Sequence, residues 1–315
     1  MSAASVSPIT VCTLWEKDHH KGVATLVNSL VRFGYRGRVW TGYKGDLPEW
    51  AAGGVTQADT YTFSTGSGVE VVFVKVPTDL HFAQYKPTWM LRVLEEFEPD
   101  AQGVYYFDPD MFVVGAWAFF ERWLAFGIAA CEDVGYPFNP SHPLALGWRA
   151  YASELGYTHW NEINAYFNSG LVGVSREMRS FLRLWDEVMN AIRRDFGAIE
   201  GMRTPARTDL FHRPGQDGFT LATYLTTHPV SWVGPDGMAF ERGEWLTVHA
   251  YLRKPWRRRV LLDLLVSGEK PDRGARLYWE LAGAPIQVES AARIRRHRWL
   301  VPLAAFLSRF YQRRG

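Results

Sequence analysis

The sequence predicts an α/β fold organised on a parallel sheet. Ile9 to Leu14 is an apolar, strand-like run, Gly22 to Phe33 places Val23, Leu26, Val27, Leu30 and Val31 at helical spacing, and Arg38 to Tyr43 returns to a short strand. Strand, helix, strand in so short a stretch argues for a parallel pair joined by a crossover helix. The second observation is Val104-Tyr105-Tyr106-Phe107, a β-branched and aromatic run that reads as a buried strand. It ends at Asp108-Pro109-Asp110, because Pro109 has no N–H to give to a sheet. The third is size: 315 residues, 47% hydrophobic, allow one large domain or two small ones with a substantial core.

Further along, Val69 to Val76 reads as a strand with Val71 and Phe73 inward. Lys86 to Glu98 reads as a helix with Pro87 in its first turn. A lysine at a helix start opposes the usual preference for anions there, so Lys86 either meets an anion or is a solvated surface residue. Gly127 to Cys131 is another strand, followed by Glu132 and Asp133. Residues 134–166 are broken by Pro137, Pro140 and Pro143 and hold Phe138, His142, Trp148, Tyr151, His159 and Trp160. A long aromatic insertion of this kind is a candidate acceptor pocket or lid. Phe167 to Val174 resumes a strand, Arg176 to Arg194 is an amphipathic helix, and Pro214 to Phe219 leads into a helix over Thr220 to Thr226. Leu246 to Tyr251 is a last strand.

Composition narrows the function classes. Two cysteines, Cys12 and Cys131, make neither a disulfide framework nor a zinc site, which fits a reducing compartment. No basic segment precedes a long apolar run near the N-terminus, and no stretch approaches the length of a spanning helix. The 14 tryptophans hint at sugar stacking, although buried indoles are the commoner use. Net charge is +2, but residues 251–315 hold 15 Lys+Arg against 5 Asp+Glu, so the rest of the chain is acidic. That asymmetry implies a basic tail that meets something acidic.

Asp108 and Asp110 carry the chemistry. Two carboxylates at the end of a buried strand repel each other unless a cation lies between them, and carboxylate oxygens suit Mg²⁺ or Mn²⁺. An ordinary Asp-Pro-Asp surface turn is the competing reading. In α/β sheets ligands bind beyond the carboxyl ends of strands, which also draws in Thr13, Leu14 and Trp15.

Taken in order, these segments resemble the retaining nucleotide-sugar glycosyltransferases of family 8, over residues 9–256. The resemblance is carried by the strand with Thr13, by Lys86, by Phe107-Asp108-Pro109-Asp110 as an Asp-X-Asp motif, by Phe167-Asn168-Ser169-Gly170, by Gly215-Gln216-Asp217, and by His249 with Lys254-Pro255-Trp256. It implies a GT-A fold, with a mixed, mostly parallel sheet flanked by helices, over residues 1–256. It also implies a hexose transferred, with retention, from a nucleotide-diphosphate sugar, expected to be a UDP-sugar, to a saccharide or lipid-linked acceptor. Asp108, Asp110 and His249 would then hold Mn²⁺ or Mg²⁺. Thr13, Leu14, Trp15, Lys86, Phe107, Asp108, Asn168, Ser169 and Lys254 would contact the donor, and Gln216 and Asp217 would lie at the reacting centre.

Two departures from the family pattern stand out. The Asp that commonly precedes the family's Gln is Gly215 here, leaving Asp217 as the local carboxylate, and the glycine before Lys-Pro-Trp is missing. With no well-placed protein nucleophile, same-face attack is expected, the departing diphosphate oxygen taking the acceptor's proton. An inverting transferase or a nucleotidyltransferase on the same fold is the same-class alternative. A non-catalytic sugar- or membrane-binding protein is the other.

Residues 257–315 form a basic helical tail in which Arg257-Arg258-Arg259, Arg293, Arg295, Arg296, Arg298, Arg309, Arg313 and Arg314 flank Leu, Trp and Phe. It suits an anionic membrane surface, or else it packs on the core with a solvated basic face. The expected location is cytoplasmic, peripheral at the inner membrane face if the tail binds lipid. No nucleic-acid-binding fold is recognisable.

Overall fold

The computed structural model describes residues 6–135, 139–197, 201–241, 243 and 245–310. Pro137, Phe138, Arg313 and Arg314, all named above, lie outside them. Among the described residues there are eleven strands: β1 Ile9–Glu16, β2 Gly37–Lys44, β3 Val55–Gln57, β4 Thr60–Ser64, β5 Val69–Lys75, β6 Gly103–Phe107, β7 Met111–Val113, β8 Ile128–Glu132, β9 Phe167–Ser175, β10 Val230–Val233 and β11 Thr247–His249. Nine form one sheet in the order β10-β8-β9-β6-β1-β2-β5-β4-β3. Strands β1, β2, β5 and β6 pair in parallel, as do β8 and β10. Strands β9 and β4 run antiparallel to their neighbours, so the sheet is mixed with most strands pointing one way. The chain is thus an α/β protein as the sequence predicts.

Alternation along the strands sorts the core into two layers. Cys12 and Leu14 of β1 and Val104 and Tyr106 of β6 face one layer, while Val11, Trp15, Tyr105 and Phe107 face the other. The first layer is covered by α2 (Phe82–Arg92), α5 (Ser180–Phe196) and α6 (Pro214–Leu225). The second is covered by α1 (His20–Arg32) and α3 (Trp117–Trp123). Between these, α4 (Pro143–Glu154) sends Trp148 and Tyr151 into the first layer.

Three local expectations are corrected. Strand β1 continues to Glu16, so Thr13 and Leu14 lie inside the strand and are buried rather than at its open end. Helix α2 starts at Phe82, where the His81 ring accepts from the Ala83 N–H, so Pro87 and Lys86 sit in mid-helix. Pro87 has no N–H to offer the Ala83 carbonyl four residues back. That carbonyl is where Gly215 packs: a Cβ on Gly215 would lie 2.4 Å from Ala83 O. Helix α6 starts at Pro214 instead of Thr220, so Gly215, Gln216 and Asp217 form its first turn.

A second, two-stranded sheet pairs β7 with β11 antiparallel, setting His249 opposite Met111. The C-terminal helices α7 (Val260–Ser267), α8 (Arg273–Leu281) and α9 (Ala291–Leu307) pack on it in a third core with Phe112, Val248 and Trp256. They are also tied to α1. Asn28 donates to the carbonyls of Leu281 and Ile286 and accepts from Ile286 N–H. Buried Glu289 accepts from Lys21 at 2.9 Å and pairs with Arg293 at 2.8 Å. The basic segment therefore backs the strands that carry His249.

Helix α1 abuts the Asp108-Pro109-Asp110 turn directly. A Cβ on Gly22 would lie 2.0 Å from Pro109 O and 2.8 Å from the Trp256 ring. Gly22→Ala is expected to push helix and turn apart and to cost about 1–3 kcal/mol, measured by urea unfolding. Wild-type stability in that variant would show that the contact is soft.

Candidate functional site: a carboxylate pair with imidazole and two lysines

The site forms where β6 ends and β7 begins. The Asp108 N–H donates to Gly170 O at 2.8 Å, carrying the chain off β6 toward β9, and the Met111 N–H returns to Asp108 O at 3.1 Å. Asp108 and Asp110 thus sit on one tight turn, and β11 brings His249 across to them. The His249 Nε2 lies 3.4 Å from Asp110 Oδ1 and 3.9 Å from Asp108 Oδ2. The ligand atoms of Asp108, Asp110 and His249 lie within 4.8 Å of one another.

Two lysines balance the two carboxylates. Lys86 Nζ pairs with Asp108 Oδ1 at 2.8 Å and donates to Ser169 O at 3.0 Å; Lys254 Nζ contacts Asp110 Oδ2 and donates to Ala250 O at 3.3 Å. Tyr106 also donates its hydroxyl to Asp108 Oδ1 at 3.0 Å. Burial alone would raise the Asp110 carboxyl, but His249 and Lys254 outweigh it and hold the group well below the usual carboxylate range.

The residues fit a hard divalent cation. Two carboxylates and one imidazole converge, and the ring atom His249 Nδ1 is buried without a partner. Gly170 keeps the middle of the cluster clear: a Cβ there would lie 2.8 Å from both Asp108 Oδ2 and Asn168 Oδ1, and 3.2 Å from His249 Cε1.

Gly170 also joins this cluster to a second one. Asn168 Oδ1 accepts from Gly170 N–H at 2.8 Å, and its amide donates to Asp133 Oδ2 at 2.7 Å. Gln216 Nε2 donates to the same Asp133 oxygen at 3.1 Å. The sequence reading passed over Asp133, although its place at the carboxyl end of β8 was the available signal. Asp217 lies behind this cluster, buried, accepting from the Tyr166 hydroxyl at 2.6 Å and from Arg213 N–H at 2.7 Å.

Of the other predicted residues, Phe107 is wholly in the core, and Thr13 is buried with an unpartnered hydroxyl. Trp15 stacks on Tyr43 and lines a cleft of about 1010 Å³ beyond the carboxyl ends of β1 and β2. Lys17, His20, Lys44 and Trp50 line it too, with residues 287–290 of the C-terminal segment. His19, to which the sequence assigns no role, feels the charges of Asp110 and Lys254. It is edge-on to Trp256, and burial lowers its pKa while Asp110 pulls it up and Lys254 pushes it down.

Neither a family profile nor any curated protein matches the chain. Among solved structures it is similar to the glycosyltransferase GlyE of Streptococcus pneumoniae TIGR4, at 12% identity and a TM-score of 0.49, over 95% of this chain and 64% of that one. It is also similar to the galactosyltransferase LgtC in complex with donor and acceptor sugar analogs, at 15% identity and a TM-score of 0.49, over 91% and 99% of the two chains. The bifunctional glycosyltransferase WbbM gives 12% and 0.49, over 95% and 53%. The chain therefore spans less than two thirds of GlyE and about half of WbbM.

Asp217 offers a test that involves no ligand. Burial raises its pKa from 3.8 to about 7, against the lowering contacts of Tyr166 and Arg213. Between those values the folded chain keeps a proton that the unfolded chain has lost, so stability falls as pH rises through that window. Asp217→Asn is expected to lose this slope and to gain on wild type by up to a few kcal/mol between pH 4 and 7 in urea titrations. Parallel curves would refute the assignment.

Proposed function

We propose that the chain is a metal-dependent glycosyltransferase of GT-A architecture that moves a hexose from a nucleotide-diphosphate sugar, with UDP as the expected nucleotide, to a saccharide or lipid-linked acceptor. The carrying observation is the convergence of Asp108, Asp110, His249, Lys86 and Lys254 at the carboxyl end of β6, beside the cleft at β1 and β2. Carboxylates alone would repel a diphosphate. Carboxylates with a divalent cation and two ammonium groups attract it.

In this reading Asp108, Asp110 and His249 hold Mn²⁺ or Mg²⁺, which when bound neutralises charge on the diphosphate leaving group. Lys254 and Lys86 turn from the carboxylates to the phosphate oxygens as point charges. The cleft takes the nucleoside, with Trp15 in its wall. Gln216, Asn168 and Asp133 face the donor sugar, and Asp133 supplies the carboxylate that Gly215 lacks. Asp217, buried and already partnered, holds the first turn of α6 from behind. Both Asp133 oxygens already accept hydrogen bonds, from the Gly135 N–H and from the Asn168 and Gln216 amides, so the reading assigns Asp133 no nucleophilic role and favours retention by same-face attack, the acceptor's proton passing to the diphosphate oxygen. Trapping of a covalent glycosyl-enzyme would exclude that route.

Calorimetry of UDP with Mn²⁺ and with chelator tests the assignment. Binding is expected with Mn²⁺ and is expected to weaken at least about a hundredfold in Asp110→Asn, more than the loss typical of an outer-sphere partner. Failure of wild type to bind any nucleotide or nucleotide sugar in the presence of metal would overturn the reading.

A specific observation favours a membrane-side location for the acceptor. Helix α9 buries Ile294, Val301 and Ala304 but also exposes Trp299, Leu303 and Phe306 at helical spacing on the opposite face, with Phe310 against Phe306. Leu262, Leu265 and Val266 of α7 are exposed as well, and Arg295 and Arg296 are solvated at the start of the outward face. Basic residues beside an exposed apolar face suit an anionic lipid surface. No described helix is long and apolar enough to cross a membrane. The chain is expected to sediment with phosphatidylglycerol vesicles and not with phosphatidylcholine vesicles, and Trp299→Ser with Phe306→Ser is expected to abolish this without lowering Tm. Equal sedimentation of variant and wild type would count against the face.

A further inference from the structure

One aromatic side chain beside the carboxylate cluster is fixed at its backbone and open at its ring. Tyr251 is 46% exposed. Two residues before it, His249 belongs to the cluster. One residue before it, the Ala250 N–H donates to Asp110 O at 2.9 Å, and Ala250 O accepts from Lys254 Nζ. The backbone entering Tyr251 is therefore tied to Asp110 through both polar groups of Ala250, directly at the N–H and by way of Lys254 at the carbonyl. The ring meets Phe240 edge-on, with centroids 5.2 Å apart at 83°, and lies 5.9 Å from the His249 ring. Phe240 in turn lies 5.8 Å from His249. The three rings form a short aromatic wall at the edge of the cluster, and Tyr251 is its solvent-facing end.

The aromatics of residues 139–166 are used differently. Trp148 and Tyr151 are buried in the first core layer, and Trp160 packs against Tyr224 under the Arg149 guanidinium. The aromatic-rich insertion thus puts much of its ring surface into packing. The half-exposed phenol sits instead in the loop after β11, where the glycine expected before Lys-Pro-Trp is missing.

We propose that Tyr251, backed by Phe240, is the stacking platform for a pyranose ring of the acceptor. This rests on the glycosyl-transfer reading for the acceptor's being a saccharide. The axial C–H face of a pyranose is apolar and matches the π face of a phenol, while its rim hydroxyls match the phenolic O–H. A tethered ring of this kind orders the acceptor beside the reacting centre without a charged contact, so it selects for ring shape and for C–H face more than for charge. It also gives the loop from Tyr251 to Lys254 a specificity role in place of the family's glycine.

The experiment is saturation-transfer NMR with Mg²⁺ and UDP present, using methyl glucosides, methyl galactosides, lactose and maltose as probes on wild type, Tyr251→Phe and Tyr251→Ala. At least one probe is expected to receive saturation on its C–H face from wild type. Its affinity is expected to fall about three- to tenfold in Tyr251→Ala, the range for one aromatic stacking contact, and to be largely kept in Tyr251→Phe. Calorimetric UDP binding, run on the same samples, separates the two ideas. Loss of UDP binding in wild type would sink the transferase reading whatever the saccharides do. Normal UDP binding with no saccharide signal, or with equal signals from Tyr251→Ala and wild type, would overturn the platform.

Discussion

Two carboxylates on one buried turn must be neutralised, and much of the molecule is arranged to do so. Asp110 is almost fully buried, and in isolation its burial would favour the neutral acid. Three elements distant in sequence supply the compensation: α2 with Lys86, β11 with His249, and the following loop with Lys254. Each of these three groups is itself anchored. Lys86 is mid-helix and bonded to Ser169, His249 is held in register opposite Met111, and Lys254 is bonded to Ala250. On the proposed reading, a divalent cation and a diphosphate replace these lysine–carboxylate pairs with little change in net charge.

The same constraint explains why the C-terminal helices matter to the site. Their core includes Phe112 and Val248, neighbours in sequence of Met111 and His249. Burying those two side chains from behind fixes the two-stranded sheet that presents His249 to the carboxylates. On the other side, α1 reaches the turn only because Gly22 has no side chain, and Asn28 on that helix clasps the C-terminal segment. A basic segment that looks like an appendage in composition is structurally part of the site's support, and residues 287–290 extend it to the wall of the cleft.

Much of the site was legible in the sequence because its parts are local. The Asp108-Pro109-Asp110 turn follows from a buried strand stopped by proline, and Asn168 and Ser169 follow from the start of the next strand. Helix boundaries were less legible. Pro87 resembled a first-turn proline, but His81 caps the helix earlier, and the Ala83 carbonyl, to which Pro87 has no N–H to give, lies against Gly215. Thr13 and Leu14 resembled a strand end, but β1 runs two residues beyond them, its pairing with β2 continuing to Lys44. Asp133 had a legible position and no legible partner. Its connection to Asn168 and Gln216 exists only once β8, β9 and α6 are brought together.

By itself the sequence determined the α/β layering, through alternating and helical apolar periods, and the Asp108-Pro109-Asp110 turn, while the candidate lysines and histidine came from the family resemblance. Only the tertiary structure decided which of them meet. Periodicity records which face of an element is buried but not what lies across from it. Hence the facing of His249 to Asp110, the burial of Asp217 against Tyr166, and the exposure of Tyr251 beside the cluster depend on sheet order and on the packing of α1, α6 and the C-terminal helices.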